Sequence, residues 1–470
     1  MSTQPLFKLY GKKAAAALVA SSALLLSACS DDNNSGAVSC NGTIAEIANC
    51  DDNFDTLFAA VDAAGLGETL SGGEFTVFAP TDAAFDELFT SLGVTPDQFL
   101  ARPDLADILT YHVLSGSVNA EAAISLAGMA NNTATTVETS TVTLTLSGSD
   151  LFVNRSQVVT PDVIAENGII HAIDKVLVPP NTFNVVETAQ ADGRFNTLVA
   201  AVVEAGLVDT LATTPNLTVF APTDDAFENL IASNDSFSSA ADILALTNLG
   251  DILKYHVLSS EVDAATAQGL AGTKTTPLLT TEELAISYAD PNLFINTSKV
   301  IVADVDTSNG LIHAVDKVLL PPTPSALSDT GVTIAGLVTN LAGATDAEFT
   351  TLLAALQQEG LDGPLAGAGP FTVFAPTDAA FDAVGTPAQV LALPGLDDIL
   401  KQHVISGSAI DSISAYAANG SAVATLRTGT SLNVNIGMGN LMVGNANVVI
   451  TDVETSNGVV HVIDAVITAP

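Results

Sequence analysis

The chain has 470 residues and carries 52 Asp and Glu against 13 Lys and Arg, a formal charge of −39. That balance excludes nucleic acid as a partner and charge-driven binding to anionic lipid headgroups. The acids are scattered rather than blocked, which reads as a solvated surface that resists aggregation.

Residues 1–28 read as an export leader. Lys8, Lys12 and Lys13 form a basic n-region, and Ala14 to Leu26 a short apolar stretch. Leu26-Ser27-Ala28-Cys29 then matches the lipoprotein cleavage box of bacteria, which makes Cys29 the expected lipidation site. The expected location is therefore the bacterial cell envelope, lipid-anchored, at the outer membrane or the cell surface, with an N-terminal acyl group in the bilayer. Loss of the leader removes three of the 13 Lys and Arg, leaving ten against 52 acids and a charge of −42. A membrane-spanning helix needs about 20 apolar residues, and no stretch after Cys29 supplies them. Residues 29–42, rich in Ser, Asp, Asn and Gly, read as a flexible tether. An oxidising compartment favours a disulfide between Cys40 and Cys50, contributing on the order of 2–3 kcal/mol; two free thiols are the alternative.

After the tether the chain repeats itself. Phe54, Leu57, Phe58 and Val61 fall on one helical face, as do Phe195, Leu198, Val199 and Val202, and Phe349, Leu352, Leu353 and Leu356. Gly65, Gly206 and Gly360 mark the ends of these helices. Next comes a β-branched and aromatic run, Phe75–Asp82, repeated at 217–224 and 371–378. The starts lie 142 and 154 residues apart, long enough for each unit to bury its own core. The run predicts a buried strand ended by Pro80, Pro222 and Pro376. Thr81-Asp82, Thr223-Asp224 and Thr377-Asp378 then supply caps for a new helix.

The middle of each unit carries Asp107-Ile108-Leu109, Asp251-Ile252-Leu253 or Asp398-Ile399-Leu400. Three residues on stand Tyr111-His112, Tyr255-His256 and Gln402-His403, so the third copy lacks the tyrosine. The last third is strand-rich and closes on Asn167-Gly168, Asn309-Gly310 or Asn457-Gly458, a strong hairpin signal. His171, His313 and His461 follow by three residues. All six histidines thus sit at repeated places and belong to the repeat unit, not to one unique active site.

Taken together these motifs resemble the fasciclin (FAS1) domain family, in three ordered copies. The resemblance implies an α+β fold: tandem domains at 43–180, 181–322 and 332–470, each a wedge-shaped β-sandwich flanked by several helices. It also implies adhesion. In animal members of the family, segments around Asp-Ile-Leu-type and Tyr-His sequences have been proposed to bind integrins. By position these map onto Asp107, Ile108, Tyr111 and His112, onto Asp251, Ile252, Tyr255 and His256, and onto Asp398, Ile399 and His403. The expected partners are protein or glycan surfaces. A periplasm-facing structural or small-ligand-binding role is the alternative.

Catalytic and metal readings fail on the residues. No Gly-x-Ser-x-Gly elbow exists, and His171 and Asp174 fall on opposite faces of a strand. No His-x-x-x-His or Cys-x-x-Cys pair exists to hold a metal. Asp304–Gly310 hints at a calcium loop, but its glycine is one place late and Val315 stands where a glutamate should close it. No cofactor, metal or enzymatic activity is expected.

Overall fold

The computed structural model describes residues 42–468 except 324, 346 and 438. The leader, the tether up to residue 41, Cys29 and Cys40 lie outside the described residues; Cys50 is disulfide-bonded. No described helix is long and apolar enough to cross a membrane.

Three seven-stranded sheets follow one another along the chain. In the first domain the strands are β1 (Phe75–Pro80), β2 (Val113–Ser115), β3 (Thr133–Thr135), β4 (Thr141–Ser147), β5 (Asp150–Val153), β6 (Ser156–Ala165) and β7 (Gly168–Ile173), hydrogen-bonded in the order 2-1-7-6-5-4-3. The helices are α1 (Ile44–Cys50), α2 (Asp55–Ala63), α3 (Gly67–Ser71), α4 (Asp82–Leu92), α5 (Pro96–Leu100), α6 (Leu105–Tyr111) and α7 (Ala120–Ala127). The hydrophobic run thus becomes the central strand β1. It pairs in parallel with the closing strand β7, Phe75 opposite Gly168, and antiparallel with β2. The same pairing recurs between Leu217–Pro222 and Gly310–Val315, and between Phe371–Pro376 and Gly458–Ile463.

Both faces of the central strand are buried, so alternate residues serve different cores. Phe78 packs with Tyr111, Leu114, Val142, Leu144, Val153 and Ile173, where the two ends of the sheet fold over one another as a sandwich. Leu114 bridges to Thr136 just beyond β3 and nearly closes the sheet on itself. In the second domain Phe220 faces the sandwich, while Val219 and Ala221 face the helices with Phe195, Leu198, Val202 and Leu253. Each such aromatic side chain contributes roughly 2–3 kcal/mol on burial.

Two local expectations need correction. Thr81 caps α4, accepting from the Ala84 N–H at 3.3 Å, but the Asp82 carboxylate reaches back and accepts from the Thr56 N–H at 2.8 Å. It therefore caps α2, whose own N-cap residue Phe54 has no capping side chain. Asp224 and Asp378 do the same for Thr197 at 2.7 Å and Thr351 at 2.9 Å. Partial burial pushes the Asp378 carboxyl up, but the N–H groups of Thr351 and Thr350 outweigh it and hold it below the ordinary value. The second correction concerns the hairpin. Ala165 pairs with Gly168, so the loop is Glu166-Asn167 and the glycine opens β7.

Each domain also begins one helix earlier than the hydrophobic periodicity suggested. The signal was the Thr43/Glu46 capping box ahead of α1, matched by Asn184/Glu187 ahead of Val185–Asp192. The hairpin asparagine ties this helix down: Asn167 accepts from the Ile44 N–H at 2.8 Å and donates to the Leu70 carbonyl at 2.6 Å.

The two domain junctions differ in chemistry. Arg102 holds Asp104 on its own domain and Glu187 of the next at 2.7 Å, with its guanidinium 4.6 Å from the Phe183 ring. Arg155 pairs with Asp192 across the same junction. The second junction is apolar at its centre: Ile413, Tyr416 and Ala417 pack on Ala285. Lys317 donates to the Gly439 carbonyl at its margin, at 2.6 Å.

Candidate functional site

The Asp-Ile-Leu and Tyr-His segments are one element, the helix α6 and its C-cap. Helical spacing puts Ile108, Leu109 and Tyr111 inward and Asp107 outward. His112 is the C-cap residue, where a helix leaves carbonyls without partners. Its Nδ1 lies 2.8 Å from the Ile108 carbonyl, and its Nε2 accepts from the Leu177 N–H at 2.8 Å. A backbone N–H can only donate, so Nε2 is the bare nitrogen and Nδ1 carries the proton. The ring thereby sews the end of α6 to the chain leaving the sheet. His256 joins the Ile252 carbonyl to the Leu319 N–H, and His403 joins Ile399 to Ile467, with the same geometry. Burial drives all three imidazoles down to about 4, against a backbone bond that favours the charged form.

The second histidine of each domain is another tie. His171 stacks on Phe78, holds the Val118 carbonyl through Nε2 at 2.8 Å and accepts the Asp162 N–H on Nδ1 at 3.2 Å. Asp162 sits in a bulge of β6 at φ +58°, and its carboxylate accepts from the Ala120 N–H at the start of α7. His313 and His461 repeat the arrangement with Asp304 and Asp452.

Tyr111 is equally committed. Its hydroxyl donates to the Thr141 carbonyl at 2.9 Å and accepts from Asn154 Nδ2 at 3.1 Å. Tyr255 makes the same pair of bonds with Glu283 and Asn296. The Tyr-His pairs therefore cannot meet a partner in the folded chain. Ile108, Tyr111 and His112 are at most 3% exposed, and Ile252, Tyr255, His256 and His403 at most 5%. Their repetition reflects packing. Ile399 is half-buried, and of the mapped residues Asp107, Asp251 and Asp398 alone are exposed.

The third copy departs from the pattern in two linked places. Gln402 replaces the tyrosine, and Gly444, at φ +59°, takes the place of Asn154 and Asn296, at φ +54° and +51°. Both ends of the Tyr–Asn hydrogen bond are gone together. Gln402 is fully buried; its Oε1 accepts from Arg427 at 3.0 Å, while its Nε2 has no partner among the described residues. Arg427 also lies 3.7 Å from Asp398, and Lys254 lies 3.6 Å from Asp251, so two of the three exposed acids have a cation beside them. Joint replacement Gln402→Tyr with Gly444→Asn is expected to raise the stability of this domain by about 1–2 kcal/mol over the sum of the single changes, through one recovered buried bond. A thermal-melting double-mutant cycle checks this; strict additivity would show that the two positions are not coupled.

The space between sheet and helices is nearly filled. In the second domain a cavity of about 30 Å³ remains, lined by Val185, Leu198, Val219, Leu253, His256 and Ile312. It holds a group of methyl size, not a lipid or a cofactor. Among the described residues no cluster of His, Cys, Asp and Glu is arranged to hold a metal ion.

The chain is 30% identical over 439 residues to transforming growth factor-beta-induced protein ig-h3 of Oryctolagus cuniculus, covering 91% of this chain and 58% of that protein. It is 26% identical to human periostin over 359 residues, covering 73% of this chain and 38% of periostin. The chain thus spans little more than half the length of the first of these relatives and well under half of the second. A solved FAS1 domain pair from the insect cell adhesion molecule fasciclin I aligns with 56% of this chain and 95% of that structure, at 20% identity and a TM-score of 0.31. The fasciclin domain model itself matches three times, at residues 52–179, 193–321 and 347–469. With most of its length in these three matches, and with the same histidine ties built into each copy, the chain belongs to the fasciclin domain family.

Proposed function

We propose that this protein is a lipid-anchored adhesion protein of the bacterial envelope, which holds protein or glycan surfaces through its three domains at once. The observation that carries the reading is the exposed carboxylate at one place in every copy. Asp107, Asp251 and Asp398 each stand on the outer face of a helix that is locked from beneath by a buried Leu and a buried C-cap His. A rigid base presents each acid without side-chain rearrangement beneath it. Single sites of this kind are weak, since an isolated exposed ion pair contributes about 0–1 kcal/mol. Three of them on one chain raise the apparent affinity through effective concentration. The acidic surface favours a cationic partner, and with Lys254 beside Asp251 and Arg427 beside Asp398 the first copy, whose Asp107 has no ion pair among the described residues, is the strongest contributor.

The test is attachment of cells, or of beads carrying the lipidated chain, to matrix-coated surfaces. Joint replacement of Asp107, Asp251 and Asp398 by Asn is expected to lower attachment at least tenfold with melting temperature unchanged, because the side chains are exposed. Asp107→Asn alone should change it most. Unchanged attachment by the triple variant would remove this surface from the reading. Cys29→Ser, the unanchored form, should lose attachment in cells while keeping it on beads to which the chain is coupled chemically.

A further inference from the structure

The three copies of β6 are alike in sequence but differ in what lies along them. In the first domain β5 pairs only with the start of β6, at Ser156 and Gln157, so among the described residues the rest of β6 has β7 on one side and an open edge on the other. In the third domain the counterpart strand, Ala446–Thr455, does not keep this edge open. The chain entering that domain runs along it: the Ser325 N–H donates to the Asp452 carbonyl at 3.2 Å, the Asp329 N–H to the Glu454 carbonyl at 3.0 Å, and the Glu454 N–H to the Ser328 hydroxyl at 2.9 Å. Leu327 packs against the helix-side core. The consequence is visible in burial. Asp452 and Val453 are 8% and 1% exposed, whereas Asp162 is exposed and Val163 half-buried.

In the third domain the series ends on the Ser456 N–H, which donates to the Val332 carbonyl at 2.8 Å; among the described residues the first domain has only the counterpart of this last bond, from the Glu166 N–H to the Gly42 carbonyl at 2.8 Å, where the described chain begins. Along the rest of the edge Ile164 is 69% exposed, the most exposed large apolar side chain among the described residues, and Val159 is 48% exposed. Ile164 stands where the other copies have Asp306 and Glu454. An unpaired edge carrying apolar side chains is a template for an added strand. Its flanks set the charge of the occupant. Asp162 and Glu166 are exposed, and the three cations of this domain are engaged elsewhere, Arg102 with Asp104 and Glu187, Arg155 with Asp192, and Lys175 with Glu87.

We propose that the outer edge of β6, at Asp162–Ala165, is a strand-addition site that takes an extended cationic segment of a partner protein. The segment would bond as residues 325–329 do in the third domain: one N–H to each of the 162 and 164 carbonyls, a hydroxyl under the 164 N–H, and a branched apolar residue beside it. This surface is separate from the Asp107, Asp251 and Asp398 positions, so its failure and theirs are read independently.

The test uses the full chain and a labelled peptide with the sequence of residues 325–332 but lysine at its fifth position. Fluorescence anisotropy should show saturable binding, weakened by salt, and hydrogen exchange at the Ile164 amide should slow at least fivefold while that at Glu454 stays unchanged. The same peptide with proline at the fifth position lacks the N–H for the 164 carbonyl and should bind at least tenfold more weakly. Ile164→Lys, at an exposed side chain, should repel the peptide and leave the melting temperature unchanged. The proposal is overturned if exchange at Ile164 does not respond, or if the proline peptide binds equally. It is also overturned if binding appears only in a chain shortened to begin at Gly42, since the edge would then belong to the chain itself.

Discussion

Gly168→Ala is expected to unfold the first domain at or near ambient temperature, with a loss of at least about 3 kcal/mol. Two independent costs fall on this one methyl group. Gly168 has φ +151°, a conformation that costs a residue with a Cβ about 1–3 kcal/mol. The new Cβ would also be driven into the Phe75 carbonyl oxygen, a backbone atom in the parallel pairing of β1 and β7. Neither strand can give way, because each has a strand on both sides, β2 beyond β1 and β6 beyond β7, and every residue of β7 is buried. Gly310→Ala and Gly458→Ala meet Leu217 and Phe371 in the same manner. Gly65→Ala is the control: its Cβ would meet no atom, so only the φ of +67° is penalised, by about 1 kcal/mol. Urea unfolding of the three strand variants should each remove one third of the cooperative change. A Gly168→Ala variant within 1 kcal/mol of the native protein would refute the account of the β1–β7 contact.

That glycine shows what the sequence could and could not disclose. Asn-Gly was legible as a hairpin, because local turn chemistry is written in adjacent residues. Which of the two residues sits in the loop was not, since register depends on a partner strand about 90 residues away. The aspartate of the Pro-Thr-Asp box is a similar case. Its type announced a helix cap, but its position next to Thr81 pointed to the wrong helix; the recipient, α2, lies before it in the chain. The domain count and the central strand were legible because periodicity and repetition are one-dimensional signals.

The candidate binding residues were the least legible part. A Tyr-His pair repeated in a surface-like motif resembles a recognition sequence, and nothing local says that both side chains turn inward. One clue was present: the tyrosine and the asparagine 43 or 41 residues later vanish together in the third copy, as Gln402 and Gly444. Paired loss marks two groups that bond to each other. A residue that binds an outside partner has no reason to covary with a distant asparagine.

The buried histidines make acid the natural denaturant of this chain. Thermal stability is expected to be flat above about pH 7 and to fall steeply between 6.5 and 4. The sign follows from the direction of the shift. Free histidine titrates at 6.5, and burial lowers His112, His256 and His403 to about 4 in the folded state. Each group therefore binds its proton more readily unfolded, so its contribution is complete above the unfolded value and is lost as pH falls toward the folded one. A displacement of this size is roughly 3 kcal/mol per domain, a large part of the stability of a domain of this length. The geometry gives the physical reason: a proton on Nε2 of His112 would face the Leu177 N–H, two donors against each other in a dry core. Depressed carboxylates act in a lower window, since the contribution of Asp378 is lost only as pH falls below the unfolded value of 3.8. His112→Gln keeps polar contacts at the site without an imidazole. It should lower the melting temperature at pH 8 and remove up to one third of the acid-dependent loss, and the triple variant with His256→Gln and His403→Gln should remove most of it, leaving the part due to His461, whose imidazole burial also lowers. Calorimetric scans from pH 8 to 4 measure both effects. A native profile that stays level down to pH 4.5 would mean that these rings accept protons in place, contrary to the hydrogen bonds that define them.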